Sequence, residues 1–370
     1  MEKNYHIYYF DYIRFMAMIC VIYMHGAANL LSNIFNFDWE YVNLSTSFSF
    51  AAVPLFLMMS GYLILSDKKT LDISYLIKER IPRLLLPLIF WTFVAIFGIL
   101  YQNNEIINLK NFSKYLISSL EQPVMCHFWY VYTLIGIYFI SPIVYYVIKK
   151  LNKKGHICIL IVIFSVLTLN IIKLLVPLKF EQYFLLKLID NLCIFDGYLL
   201  IFILGYYIGN LKKKISNKFL IFLLISLLSF ITIGTYVLSF ENVQYMGTFQ
   251  YQNTIFEVLL AASIFLLFKQ NCNKKSSFFS QIPVIPFCFS IYFLHNIVFD
   301  IMGWVYIYSF FDTIICAILN FIICYLFVKT LSSIKFLCYI STGIKYKKAC
   351  DSCNWIYTYN KIKNNKCKEG

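Results

Sequence analysis

The sequence predicts an all-α integral membrane protein with about ten transmembrane helices and both termini on the cytoplasmic side. Three observations predict it. The chain is 60% hydrophobic and only 14% charged, against about 45–50% apolar and about 25% charged residues in soluble domains. Its apolar residues fall into runs long enough to cross a bilayer. Its lysines and arginines concentrate in alternate loops.

The runs fall near 7–30, 46–66, 84–101, 127–148, 156–176, 191–210, 219–239, 253–269, 284–307 and 312–336. The first, eighth and ninth are less uniformly apolar than the rest. One set of loops holds Lys68, Lys69, Lys78, Arg80 and Arg83, then Lys149 to Lys154, then Lys212 to Lys218, then Lys269, Lys274 and Lys275. The opposite loops hold Lys110 and Lys114, and Lys173, Lys179 and Lys187. This alternation is the positive-inside pattern and sets the orientation. Residues 1–340 are expected to form one polytopic membrane domain, and 341–370 a lysine-rich cytoplasmic tail drawn to anionic lipid.

The net charge of +14 does not imply nucleic acid, because the basic residues are split among loops instead of forming one patch. The twelve cysteines are scattered, and many, such as Cys158, Cys193, Cys316 and Cys324, lie inside apolar runs, where free cysteine acts as a small hydrophobe. No disulfide framework is expected. Cys350 and Cys353 lack the further ligands that structural zinc requires, so no metal site is expected. Asp11 and Arg14 interrupt the stretch that would form the apolar core of a signal peptide, so the first run is expected to stay in the membrane. Gly205 and Gly209 form a small-x-x-x-small pattern suited to close helix packing.

Asp11, Arg14 and His25 carry the strongest chemical signal. Eleven residues, close to three turns, separate Arg14 from His25, so both leave the first helix on nearly the same face, about 16 Å apart along its axis. Asp11 stands one turn before Arg14 on that face. Ionisable groups inside a span are costly and commonly face a bundle interior or a wet cavity. His295 lies near the middle of the ninth run, and His127 begins the fourth beside Trp129 and Tyr130. His6 and His156 sit at run edges and are expected to be solvated.

Phe10-Asp11-Tyr12-Ile13-Arg14, followed by His25-Gly26, resembles the opening span of the acyltransferase 3 family. Pro54-Leu55-Phe56 with Ser60-Gly61-Tyr62, then Arg80, Arg83 and Pro87, then His127-Phe128-Trp129-Tyr130, then Ile291-Tyr292-Phe293-Leu294-His295 resemble later segments of that family, in its order. Phe56-Leu57 stands where a paired phenylalanine is usual. The resemblance implies transfer of an acyl group, commonly acetyl, from cytoplasmic acyl-CoA to a hydroxyl of a cell-surface polysaccharide or a polyprenyl-linked glycan. It implies a multi-pass protein of the bacterial cell membrane, with acyl-CoA as donor substrate and no permanently bound cofactor. In that reading His25 is the base that takes the acceptor's proton. Arg14, oriented by Asp11, and Arg80 and Arg83 hold the donor's phosphates. His127 and His295 are further catalytic candidates.

Two other readings fit a polytopic chain. A polyprenyl-phosphate-dependent glycosyltransferase would use acids of the first outer loop, where Asp38 and Glu40 lie. A glycan transporter or flippase would also carry ionisable groups within its spans.

Overall fold

The computed structural model describes residues 6–175, 197–282, 284–304 and 309–344. Lys179, Lys187, Cys193, Cys350 and Cys353 lie outside them. All regular structure among the described residues is helical. The main helices are α1 (Tyr8–Gly26), α2 (Trp39–Ser49), α3 (Ala52–Leu65), α4 (Pro82–Gln102), α5 (Leu109–Glu121), α6 (Trp129–Lys150) and α7 (Lys153–Leu175). They continue as α8 (Tyr198–Asn210), α9 (Asn217–Glu241), α10 (Ile255–Asn271), α11 (Cys288–Ile301), α12 (Phe310–Leu331) and α13 (Lys335–Thr342).

A helix lies within the described part of each of the ten apolar runs, but six helical stretches among the described residues are long and apolar enough to cross a membrane: Trp39–Leu65, Ile73–Gln102, Cys126–Lys150, Lys153–Leu175, Asn217–Glu241 and Phe310–Leu331. Tyr198–Asn210 and Ile285–Ile301 are apolar but shorter. Helix α10 has 17 residues. Helix α1 has 19, and Asp11, Arg14 and His25 lower its hydropathy. The most apolar windows of Lys153–Leu175, Asn217–Glu241 and Phe310–Leu331 are each only 22% buried. Their outward Ile, Phe and Leu side chains are the surface expected where lipid is the solvent.

The chain divides into two compact units. The first takes residues from 1–73, 136–282 and 304–318. Its centre is the contact between α3 and α8, which glycines permit. A Cβ on Gly61 would stand 1.7 Å from the Phe202 carbonyl oxygen, and one on Gly205 would stand 2.1 Å from the Met58 carbonyl oxygen. The backbones therefore touch where small residues leave room, as the Gly205–Gly209 spacing predicts. Lys269 of α10 closes the end of α8, its Nζ donating to the carbonyls of Ile208, Gly209 and Leu211 at 3.0, 2.7 and 2.7 Å. A cation there satisfies the orphan carbonyls of a helix C-terminus.

The second unit takes residues from 74–135, 283–303 and 319–370. Its helix α5 is not visible as an apolar run because only one of its faces is apolar. Phe112 on that face meets Phe93 and Phe97 of α4, at 5.2 and 5.1 Å between ring centroids. Asn108 caps α5, its side-chain oxygen accepting from Asn111 N–H at 2.8 Å. That side-chain bond satisfies a donor the helix start would otherwise leave orphaned. Helix α13 docks through its end: the Ser341 carbonyl accepts from Trp91 Nε1 (3.0 Å) and from the Ser290 hydroxyl (2.7 Å).

Candidate functional site

In the first unit, α1 presents its ionisable groups at two ends. Asp11 is buried. One of its carboxylate oxygens lies 3.6 Å from Arg14 Nη1, and the other lies 2.6 Å from His6 Nε2. His6 is 57% exposed, yet it is engaged by Asp11 instead of being merely solvated. The Arg14 guanidinium also lies 5.9 Å from the centre of the Phe10 ring. Asp11 thus supplies the counter-charge to a cation that stays one-third exposed, a condition for meeting an anionic ligand.

His25 occupies the last turn of α1. The helix is unbroken between Arg14 and His25, so the expected rise of about 16 Å stands. Around that end, Tyr23 and Ser45 share a hydrogen bond of 2.6 Å. At the other end, the Phe10 and Tyr62 rings meet at 5.7 Å. These two contacts run α2 and α3 antiparallel to α1 and bring Asn43 to within about a turn of His25 along the axis.

Arg80 and Arg83 belong to the second unit. Arg80 ends a π-helical turn, Leu76–Arg80, in which Ile81 N–H donates to the Leu76 carbonyl at 2.9 Å, and Arg83 follows it. The wider turn changes the direction of the side chains that follow it, and such turns recur at functional sites. Arg80 lies over the Tyr75 ring at 5.5 Å. Arg83 pairs with Glu79 at 3.3 Å. Gly343 (φ +68°) comes so close to the Arg83 carbonyl that a Cβ there would stand 2.2 Å from it.

His127 and His295, 168 positions apart, come together in the second unit. Their ring centroids are 4.6 Å apart, and both residues are buried. His127 packs against α11. His127 Nε2 faces the Phe293 carbonyl at 3.3 Å, and its Nδ1 accepts from the Asn296 amide at 3.1 Å. The Tyr292 hydroxyl donates to the His127 carbonyl. His295 Nδ1 donates to the Tyr292 carbonyl, and Asn320 Nδ2 donates to the His295 carbonyl at 2.8 Å. A backbone acceptor at one ring nitrogen fixes the tautomer, so Nε2 is the basic nitrogen of His295.

Other predicted positions have structural roles. Asp38 accepts from Phe310 N–H at 2.8 Å and so caps the start of α12. That role does not call for a catalytic acid. His156 Nδ1 meets the Tyr207 hydroxyl at 2.9 Å. Among the described residues no group of three or more His, Cys, Asp or Glu could hold a metal ion.

Sequence reasoning missed His6, Tyr292, Asn296 and Asn320 as site neighbours. It also missed Glu257, a carboxylic acid wholly buried near the start of α10. Asn320 and Glu257 each interrupt an apolar run, which is the signal that would have found them.

A family model described as an acyltransferase domain matches residues 7–329. No curated protein and no solved structure matches the chain.

Proposed function

The chain belongs to the acyltransferase 3 family, and from that premise we propose that it carries an acyl group, acetyl above all, from cytoplasmic acyl-CoA to a hydroxyl of a cell-surface polysaccharide or lipid-linked glycan. The observation that carries this reading is α1, where Asp11 and Arg14 make an anchored cation at one end and His25 stands in the last turn at the other. With the lysine-rich loops inside, ten spans in a bacterial cell membrane put Arg14 toward the cytoplasm and His25 toward the outer face.

In this mechanism Arg14 is the cation of the first unit that meets donor phosphate, and Arg80 and Arg83 are the candidates of the second. The acceptor hydroxyl attacks the thioester carbonyl while His25 takes the hydroxyl proton. The carbon–sulfur bond breaks, and coenzyme A leaves as the thiol after receiving a proton. The distance between Arg14 and His25 is bridged by the extended pantetheine arm of the donor.

A second assignment of the base is favoured by one observation. The His295 tautomer is fixed by the Tyr292 carbonyl, which makes Nε2 a pre-oriented proton acceptor. In that version His127 packs against His295, ring centroid to ring centroid at 4.6 Å.

Purified protein in nanodiscs, given radiolabelled acetyl-CoA and a membrane glycolipid extract, tests the reading. Label appears in the glycolipid with the wild-type chain. It disappears with His25→Ala if His25 is the base, and with His295→Ala if His295 is. Absence of transfer by the wild-type chain from acetyl-, succinyl- and longer acyl-CoA would contradict the proposal.

A further inference from the structure

Glu257 is the buried acid that the mechanism above leaves unused. It stands in the first turn of α10 and is 0% exposed. Thr254 precedes it by three residues, the spacing of a capping box, in which the Glu side chain accepts from the N-cap N–H. Here the box is open. Thr254 N–H donates to the Tyr251 carbonyl at 3.1 Å, and the Thr254 hydroxyl donates to the same carbonyl at 2.8 Å. Both Glu257 oxygens are buried without a hydrogen-bond partner among the described residues. Burying a carboxyl group unbonded is costly, and folds retain such a group where it serves a ligand or a reaction.

Polar groups gather in the segment that leads into α10 and on the helix it meets. Gln250 Nε2 donates to Asn43 Oδ1 and to Ser47 Oγ, each at 2.8 Å, and the Tyr245 hydroxyl donates to Gln250 Oε1 at 2.6 Å. Burial, and then the nearby Glu257 charge, push the Tyr245 phenol above its ordinary range. Asn43 also lines a 310 Å³ cleft with Glu40, Thr232, Ile233 and Tyr236. The hydroxyl of Thr232 is, like Glu257, buried without a hydrogen-bond partner among the described residues.

The same unit relates Glu257 to His25. Phe265 of α10 meets Phe10 of α1 at 5.9 Å. Glu257 stands eight residues earlier, about 12 Å along the helix, displaced toward the end of α1 that carries His25. Asn43, reached through Gln250, lies within about a turn of His25 along that axis.

We propose that Glu257 is an acceptor-binding residue, its carboxyl group exchanging hydrogen bonds with hydroxyls of the sugar to be acylated, beside the cluster of Gln250, Tyr245 and Asn43. This rests on the transfer reading above, and it adds a residue that holds the acceptor and leaves the donor alone.

The test labels the full chain in phosphatidylglycerol nanodiscs with dicyclohexylcarbodiimide, which modifies buried protonated carboxyls, and reads the Glu257 peptide by mass spectrometry. Monoglucosyl diacylglycerol is included or omitted as the sugar-bearing probe. With the glycolipid in tenfold excess over its dissociation constant, labelling of Glu257 slows by about tenfold. Glu257→Gln removes the label and raises the glycolipid concentration needed for acyl transfer, while acetyl-CoA binding is unchanged. Glu257→Leu, which removes the buried carboxyl altogether, also loses acceptor saturation. Equal labelling with and without glycolipid overturns the proposal, as does a Glu257 that reacts in neither condition, or a Glu257→Leu chain with unaltered acceptor dependence. Protection of Glu257 by glycolipid in a wild-type chain that transfers no acyl group upholds the binding role and overturns the transfer reading instead.

Discussion

Asp11 and Arg14 are joined at 3.6 Å within one turn of α1, and the opposite oxygen of Asp11 is held by His6 at 2.6 Å. The carboxylate therefore fixes the arginine from a point that is itself anchored. In Asp11→Asn, Arg14 keeps its charge but loses its orientation. The apparent KM for acyl-CoA is expected to rise about tenfold, the equivalent of about 1.4 kcal/mol. Stability should change by less than about 1 kcal/mol, because the pair stands 3.6 Å apart and its arginine is one-third exposed. A titration of acyl-CoA against initial rate reads the first, and thermal unfolding in detergent the second.

Asn320 ties α12 to α11 through the His295 carbonyl at 2.8 Å. Interhelical hydrogen bonds of this kind contribute about 0.6 kcal/mol on average and up to about 1.7 kcal/mol in membrane proteins. Asn320→Leu is expected to lower stability within that range. If His295 is the base, the same substitution also lowers the maximal rate, because the ring's anchor is loosened. If His25 is the base, the rate is unchanged, so unfolding and rate measured together separate the two assignments.

Gly205 meets the Met58 backbone where any larger side chain would collide with it. Gly205→Val should destabilise the first unit by about 3 kcal/mol or more, at the upper end of overpacking penalties, because the obstacle is backbone and cannot rotate away. Loss of the monodisperse peak in fluorescence-detected size exclusion checks this. Gly136 serves as the control: a methyl group added there would meet nothing within 4 Å, so this position should tolerate alanine.

The orientation is tested by reporter fusions. Alkaline phosphatase fused after Gln244 is expected to be active, and fused after Lys213 inactive, because these positions flank one span and the lysines mark the cytoplasmic side. The reverse result would place His25 inside and Arg14 outside, and would remove the donor role from Arg14.

Much of this molecule is legible in its sequence, for reasons that differ from helix to helix. Helices such as α7 and α9 are plain because lipid demands long apolar runs. The α3–α8 contact is legible because only small residues let two backbones touch, and Gly205 and Gly209 advertise it. Helix α5 is hidden because its apolar residues occupy one face and its polar residues lower the average. The π turn that ends at Arg80 leaves no pattern in residue type. His127 and His295 are each visible as histidines near apolar runs, but their pairing across 168 positions is a tertiary fact. Glu257 interrupts its apolar run, but that it is buried and that the cap with Thr254 is not made are tertiary facts, the latter shown by the Thr254–Tyr251 bonds.

The central claim is that His25 serves acyl transfer to a surface glycan. The most direct measurement is mass spectrometry of the surface polysaccharide from a deletion strain carrying either the wild-type chain or His25→Ala at equal membrane abundance. The account predicts O-acyl groups with the wild-type chain and a loss of at least about a hundredfold with His25→Ala, the lower range for removal of a general base. Glycan acylation at wild-type level in the His25→Ala strain would contradict it.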